Sequence, residues 1–600
     1  MNKLLLSTAI ALSLCPFEGK GEELYVRAGQ SLSAAIRQAR EVRRLHQVSD
    51  NDTLFITLED GRYLLSEPLL LRPEDSGTEA GPTVIRAAHP GKAIIDGGVA
   101  LQGWRRPARE ELKGIPAKAQ DQIWVCPAPV VNGRIVETRQ LWMGNLRLPQ
   151  ASLVPEGTLL PLKGFDKEKR TITVADTILP AYVSASLASG LNKGWMMVHQ
   201  RWATALLRIK AVSNANGAIT FTFLDPESRR EFEHPWPQPV IADTLDDGRV
   251  VTSSFNLYGN KACLDQPGEW FQSYPDGLIY YVSGDKGGAC PEQPVVVPVL
   301  ETLVQVDGCL ERPVHDILFR GLSFEHTSWT TPNREGWVTL QAGFPIIDAY
   351  KLQVPGLPEK TSLENQAWIG RPESAIVLKG VQRVSFGQCT FRQLGACGVD
   401  YVEAAAHCHI IGCRFEDIGA TAILSGHFPS GGFETHVPFR PNVPDDLCHD
   451  LLIARNEVHH VGQEDWGACA INAGYVFNTT IADNEVSDCK WSGICLGWGW
   501  TSRNSGMKNN HLLRNHVWDF GMQMHDCGAL YTLSYQPNSI IVGNKIGAMG
   551  KAPYATNNRA FYIYLDEATD GFTISDNEMP SPLIGTNQPG QHIQSDIKLP

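Results

Sequence analysis

Short apolar strands, each broken by a polar turn, recur through the second half of the chain in a single frame: FGQCTF, IIGCRF, IARNEV, IADNEV, LLRNHV, IVGNKI and ISDNEM. One column of this alignment holds Cys389, Cys413, Asn456, Asn484, Asn515, Asn544 and Asn577, at steps of 24, 43, 28, 31, 29 and 33 residues. Upstream, HDILFRGLSFEHT (315–327) fits the same frame with Gly321 in the column. A unit of this kind cannot bury its own apolar face, so it must stack on copies of itself. A recurrent asparagine suits such a stack, because its amide hydrogen-bonds the equivalent residue above and below. Period and ladder together predict an all-β fold, a right-handed parallel β-helix. A leucine-rich solenoid needs a different consensus and a propeller needs longer blades.

The N-terminal part reads as the start of the same solenoid. Ser31 or Ser33 caps a helix that carries Leu32, Ala35, Ile36, Ala39 and Val42 at helical spacing, a suitable lid for the open end of a sheet. Strand patterns follow at 53–65, 81–88 and 92–98. From about 130 to 300 the strands are irregularly spaced, punctuated by Pro and Gly, and lack the asparagine column, which predicts a β-rich domain inserted into the solenoid. The expected organisation is therefore a leader at 1–21, the first part of the β-helix at 22–130, the inserted domain at 131–294, and the main β-helix with the active site at 295–600. Loops at 327–372 and 426–447 interrupt the repeat, and long insertions in a solenoid commonly build the binding face.

Charge narrows the partners. A net charge of −13 over 600 residues disfavours nucleic acid and anionic membranes, and suits a neutral or sparsely charged polymer. Lys3 followed by the apolar run Leu4–Leu14 and then small or polar residues has the layout of a secretory signal, so export to the periplasm or cell surface is expected. Leu12-Ser13-Leu14-Cys15 partly resembles a lipoprotein box, with Leu14 where that box takes a small residue; Cys15 is the candidate lipid anchor. No other apolar run approaches the roughly 20 residues that span a bilayer. The 14 cysteines show no CxxC spacing of zinc-site type, and several fall inside apolar repeats; Cys263 and Cys290 form the one candidate disulfide pair. GxSxG and P-loop patterns are absent, which removes support for serine-nucleophile and nucleotide chemistry. His459 and His460 are adjacent, hence on opposite strand faces, and His326 stands at the start of the long loop. Neither a metal site nor a cofactor is expected.

Aligning EDWGACAI (464–471), CKWSGICL (489–496) and HDCGALYT (525–532) brings Trp466, Trp491 and Asp526 together as a sugar platform, flat rings covering sugar faces beside a carboxylate. In the next coil, RAFYIYLD, Asp566 falls near the level of Thr532 or Leu533, six or seven positions along the strand from Asp526. At about 3.3 Å per residue a flat strand separates these acids by more than the roughly 5–9.5 Å that one glycosidic bond requires. Turns bend the strands, so the pairing survives as an expectation. Asp526 and Asp566 border aromatic-rich apolar strands carrying Tyr531 and Tyr564, where desolvation raises a carboxyl toward the general-acid range. Glu464, Asp465 and Glu567 are the competing acids, and His525 is placed to orient Asp526 or to hold a sugar hydroxyl.

The segments DGGVALQGW (96–104), RQLWMGNLRLP (139–149), PGEWFQSYPDGLIYYV (267–282), GLSFEHTSW (321–329), SGICLGWGW (492–500), HDCGALYT and YIYLDEATDGFTISDN together resemble the exported β-helix enzymes of glycoside hydrolase family 141, and more distantly the family 120 xylosidases. The resemblance covers nearly the whole mature chain. It implies hydrolysis of plant cell-wall glycans, with α-L-fucosidase activity on pectin side chains and xylanase activity both represented, and a carboxyl pair at Asp526 and Asp566. Substrate contacts are then expected from His525, Trp466, Trp491, Glu464, Asp465, Glu567, Tyr531 and Tyr564. Met143-Gly144-Asn145 departs from the small NG-type turn of such proteins. A xylanase or xylosidase, a polysaccharide lyase on the same scaffold, and a non-catalytic glycan-binding solenoid stay open as alternatives. The lyase wants Lys or Arg as base, whereas these coils carry acids and tryptophan.

Overall fold

The computed structural model describes residues 21–189, 194–234, 236–284, 288–349, 367–426, 433–434, 439–441 and 443–599; the leader and Cys15 lie outside them. Three runs of parallel strands wind around one core. The first passes through Leu69–Leu71, Val304–Asp307, Ile423–Ser425, Ile471–Ala473, Ile494–Leu496, Cys527–Thr532, Ala560–Leu565 and Ile584–Thr586. The second runs from Gly21–Val26 through Thr53–Leu58 and Thr83–Ala87 to Leu452–Ala454, Thr480–Ala482, His511–Leu513 and Asp570–Ser575. A separate nine-stranded parallel sheet, from Gly61–Leu64 to Lys545–Ile546, forms the third face. Each face alternates inward apolar residues with outward ones, and inward phenylalanines stack coil on coil, as in Phe324, Phe391 and Phe415 with centroids 5.0 and 4.6 Å apart.

The asparagine column forms a continuous ladder. Asn515 Nδ2 donates to Asn544 Oδ1 at 3.0 Å and to the Ile481 carbonyl at 2.9 Å, while Asn515 Oδ1 accepts from the backbone N (3.1 Å) and Nδ2 (2.9 Å) of Asn484. Asn456 above and Asn577 below continue the pattern, and Cys413 and Cys389 extend the column upward as buried thiols. The residue preceding each rung adopts a left-handed backbone: Gln388, Gly412, Arg455, Asp483, Arg514, Gly543 and Asp576 all lie between φ +52° and +67°. Gly321, at φ +64°, belongs to that preceding column, and Leu322 occupies the rung, because Ser323 pairs with Thr390. This moves the expected assignment of Gly321 by one position; a glycine meets the left-handed requirement at least cost.

A helix, Leu32–Arg44, closes the N-terminal end, capped by Ser31 Oγ accepting from Ala34 N at 3.2 Å. Leu32, Ala35, Ile36, Ala39 and Val42 form its buried face, as the sequence spacing predicts. Burying the larger of these contributes about 1.5–3 kcal/mol each.

Antiparallel sheets interrupt the solenoid. Ile123–Pro127 pairs with Leu278–Val282, so this strand sits with the inserted unit and not with the solenoid, on the far side of the 130/131 boundary expected from sequence. Antiparallel pairing reaches from Gly98–Ala100 to Val295–Pro298. A further antiparallel sheet holds Trp195–His199, Thr204–Ala215 and Ser254–Tyr258. The hairpin Trp337–Gln341/Phe344–Ala349, from the loop after His326, joins that same sheet through Ala205↔Val338 and Leu206↔Trp337. The inserted domain is thereby held down against the solenoid by a strand of the solenoid's own loop.

The thirteen cysteines among the described residues are all free. The expected Cys263–Cys290 disulfide is absent: Cys263 is packed in the apolar core of the inserted domain and Cys290 lies in a partly exposed segment. Among the described residues, no helix is long and apolar enough to cross a membrane.

Candidate active site

Where the inserted domain meets the first face of the solenoid there is a cleft of about 440 Å³. Its floor is Asp526, Tyr531, Tyr564, Asp566 and Glu567, with Arg559 and Asn587 at the edge. Its opposite wall is Arg201, Trp202 and Trp236 from the inserted domain, Leu340 and Gln341 from the hairpin, and Trp500 from the turn after Ile494–Leu496.

The register on the floor selects one of the two levels the sequence left open: Tyr531 pairs with Tyr564 and Thr532 with Leu565, so Asp566 falls level with Leu533. The two acids therefore flank adjacent strands at opposite ends. Two features bring both acids to the same cleft. Asp526 has φ +57°, so the chain turns there instead of continuing the line of Cys527–Thr532. Tyr531 and Tyr564, on the same outward column of neighbouring coils with ring centroids 5.0 Å apart, reach in opposite directions along the cleft. The Tyr564 hydroxyl donates to Asp526 Oδ1 at 3.0 Å, and the Tyr531 hydroxyl donates to Asp566 Oδ2.

Each acid has its own further partners. Asp566 also accepts from Asn587 Nδ2 at 2.8 Å, and Tyr531 accepts from Gln341 Nε2 at 2.8 Å. Arg559 donates to the Tyr564 hydroxyl at 2.7 Å and approaches Asp526 Oδ1 to 3.4 Å. Burial, followed by the negative charge of Asp566, pushes Asp526 up to about 6 against the pull of Arg559, Tyr564 and Arg201. Burial also raises Asp566, but Tyr531, Asn587 and the Glu567 amide oppose it by bonding to the ionised form.

The other expected contacts fall elsewhere. Trp491 is fully buried; its Nε1 donates to the Asp526 carbonyl at 3.0 Å and its ring packs on Tyr531 at 5.3 Å, so it supports the acid from behind. Trp466 is buried at 4% exposure, two positions out of the assumed register because Ile471 pairs with Ile494. Neither ring can be a sugar platform. Glu464 is held by Arg139 (3.0 Å), Arg147 (2.7 Å) and Gln140 (3.1 Å) around a gap of about 40 Å³, away from the cleft. Asp465 is completely buried and accepts from Trp337 Nε1 (3.0 Å), Thr339 Oγ1 (2.8 Å), Thr204 Oγ1 (3.3 Å) and Gly467 N (3.1 Å). It joins the hairpin and the inserted domain to the solenoid. His525 Nδ1 bonds the Asn557 carbonyl at 2.9 Å and does not line the cleft.

Sequence reasoning missed the upper wall entirely. Trp202 and Trp236 are half-buried and stacked at 6.5 Å and 17°. The loop bearing Arg201 and Trp202 is stitched to the solenoid by His199 Nε2 to the Gln523 carbonyl (2.9 Å), Asn557 Nδ2 to the Arg201 carbonyl (3.2 Å) and Trp202 Nε1 to the Leu340 carbonyl (2.8 Å). Burial brings His199 down to about 4, so its ring is neutral and free to make that bond. The only available signal was aromatic and basic residues in a short turn between two apolar strands.

A metal does not fit the one cluster of suitable ligands among the described residues. Asp96, Glu325 and His326 bring ligand atoms within 4.8 Å of one another. Arg62 pairs with both carboxylates, Arg392 pairs with Glu325, and His326 Nδ1 bonds Asp96, so cations already neutralise the group.

Parallel coils carrying two buried carboxyls, both raised by desolvation, under a tryptophan wall are the arrangement of a β-helix glycoside hydrolase. Residues 121–283 match the model of the GH141 insertion domain and residues 398–582 that of the right-handed β-helix region. A solved structure described as a glycoside hydrolase is 33% identical, covers 96% of this chain and 96% of its own, and superposes with a TM-score of 0.86. The chain belongs to the GH141-type glycoside hydrolases and is a glycosidase with a right-handed parallel β-helix fold. Other solved structures are less similar: XylC with xylose has 11% identity, 89% and 65% coverage and a TM-score of 0.43. A GH136 lacto-N-biosidase from Eubacterium ramulus has 8% identity, 100% and 70% coverage and a TM-score of 0.34. The comparison with curated proteins finds no match.

Proposed function

We propose that this enzyme is an α-L-fucosidase acting on plant cell-wall glycans, specifically pectin side chains, with Asp526 as the general acid and Asp566 as the nucleophile or general base. The observation that carries the reading is the unequal environment of two carboxyls in one cleft. Asp526, raised to about 6, holds a proton to deliver to the glycosidic oxygen as the C–O bond breaks. Asp566, bonded by Tyr531 and Asn587, is the carboxylate that attacks the anomeric carbon or deprotonates the attacking water. Tyr531, Tyr564 and Glu567 face the same space and contribute substrate contacts. The assignment to fucose rests on the family, supported by the apolar wall of Trp202, Trp236, Leu340 and Trp500, which suits the methyl group of a 6-deoxy sugar. The leader sequence supports export to the periplasm or cell surface, with Cys15 as the acyl acceptor if the chain is anchored.

The test is release of monosaccharide from fucosylated pectin oligosaccharides and from nitrophenyl α-L-fucoside, with nitrophenyl β-D-xyloside in parallel. Fucose release, abolished in Asp566→Asn, is the expected result. Xylose release alone reassigns the sugar, ultraviolet-absorbing unsaturated ends would indicate a lyase, and binding without turnover would indicate an adhesin.

A further inference from the structure

Two arginines line the cleft, and only one spends its guanidinium on hydrogen bonds there. Arg559 spends its guanidinium on the Tyr564 hydroxyl and on Asp526. Arg201 makes no side-chain hydrogen bond to any described residue. It forms a long ion pair with the half-exposed Asp243 at 3.6 Å, outside hydrogen-bond range, and the Arg201 Nε is buried without a partner. Yet the group is held in place. Its backbone carbonyl accepts from Asn557, its guanidinium lies over the Trp236 ring at 4.8 Å, and it is near enough to Asp526 to favour that carboxylate's ionised form. A guanidinium stacked on an indole keeps its edge open for two parallel N–H donors, the geometry that matches a carboxylate.

We propose that Arg201 is the recognition group of a subsite for the carboxylate of an acidic sugar, a glycuronic acid unit bound beside the glycosidic bond under attack. The inference rests on reading this cleft as the glycosidase site and specifies its substrate class. A protein with net charge −13 offers no long-range attraction to a polyanion, so recognition of an acidic sugar has to be local. Arg201 supplies a local positive edge whose donors are not spent on hydrogen bonds. The Trp202–Trp236 pair next to it covers the apolar face of the same ring.

The experiment measures binding by calorimetry at pH 5, using the whole protein and probes that need no cleavage. Methyl α-D-galacturonide and methyl β-D-glucuronide are each compared with the neutral methyl galactoside and methyl glucoside, and with the corresponding uronamides. At least one uronide is expected to bind about tenfold or more tightly than its neutral partner and its amide. Arg201→Gln should bring that ratio close to one, and Arg201→Lys should keep part of it. Equal binding of acid, amide and neutral sugar in the wild type overturns the proposal, as does a ratio unchanged in Arg201→Gln. The amide comparison in the wild type decides the matter even where Arg201→Gln does not fold. Because turnover is not read, failure of the fucosidase assay leaves this result standing, and fucosidase activity with a ratio of one refutes the subsite alone.

Discussion

Replacing Asp526 with Asn separates catalysis from stability, because the two effects run in opposite directions. With the carboxyl at about 6, roughly nine in ten molecules carry the proton at pH 5 and one in ten at pH 7. The alkaline limb of kcat/KM in the wild type should thus fall about tenfold between those values. Asp526→Asn should lose a hundredfold or more at pH 5 on a disaccharide, less on a nitrophenyl glycoside whose leaving group needs little protonation, and should show no alkaline limb near 6. Stability moves the other way. A carboxyl whose pKa rises on folding is tolerated while protonated, below 3.8, and penalises the native state as pH climbs through about 6. The penalty approaches about 3 kcal/mol above pH 7, at 1.36 kcal/mol per pH unit. The amide never ionises, so the variant should melt with the wild type at pH 4 and above it at pH 7.5, by up to about 3 kcal/mol. Calorimetric melts at the two pH values and pH–rate profiles on both substrates form the assay. Persistence of the alkaline limb in Asp526→Asn, or a variant less stable than the wild type at pH 7.5, would refute the reasoning.

Tyr531→Phe removes the hydroxyl that bonds the ionised form of Asp566, so that carboxyl should rise further and the acidic limb of the profile should move to higher pH; an unmoved limb would show that this hydrogen bond is immaterial. Asp465→Ala leaves Trp337, Thr204 and Thr339 without their buried acceptor and should destabilise the protein by at least about 3 kcal/mol in urea unfolding. Because those partners carry both cleft walls, KM should rise more than kcat falls. Asn515→Ala removes four ladder hydrogen bonds and should cost roughly 2–5 kcal/mol, read as a lower urea midpoint with kcat nearly unchanged.

The sequence by itself determined the repeat and the acids. Each rung of the ladder needs a residue whose amide bonds above and below, and each apolar strand faces inward, so Asn456 through Asn577 follow from local pattern alone, while the level of Asp566, left between Thr532 and Leu533, was settled by the pairing of Tyr531 with Tyr564. Asp526 and Asp566 stood out for the same reason, as acids at the ends of apolar aromatic strands. Only the tertiary structure decided which other residues meet them. Trp466, Trp491, Glu464 and Asp465 carry the right chemistry, but a two-residue register shift and the arrival of Arg139, Arg147, Trp337 and Thr204 from distant segments turned them into buried supports. The actual wall of Arg201, Trp202, Trp236 and Leu340 comes from a domain and a hairpin far away along the chain, brought over the solenoid by the pairing of Leu206 with Trp337. Periodicity reports interactions between neighbouring coils. It holds no record of a contact between segments that share no repeat, and the wall that closes the cleft over the two acids is made of such contacts.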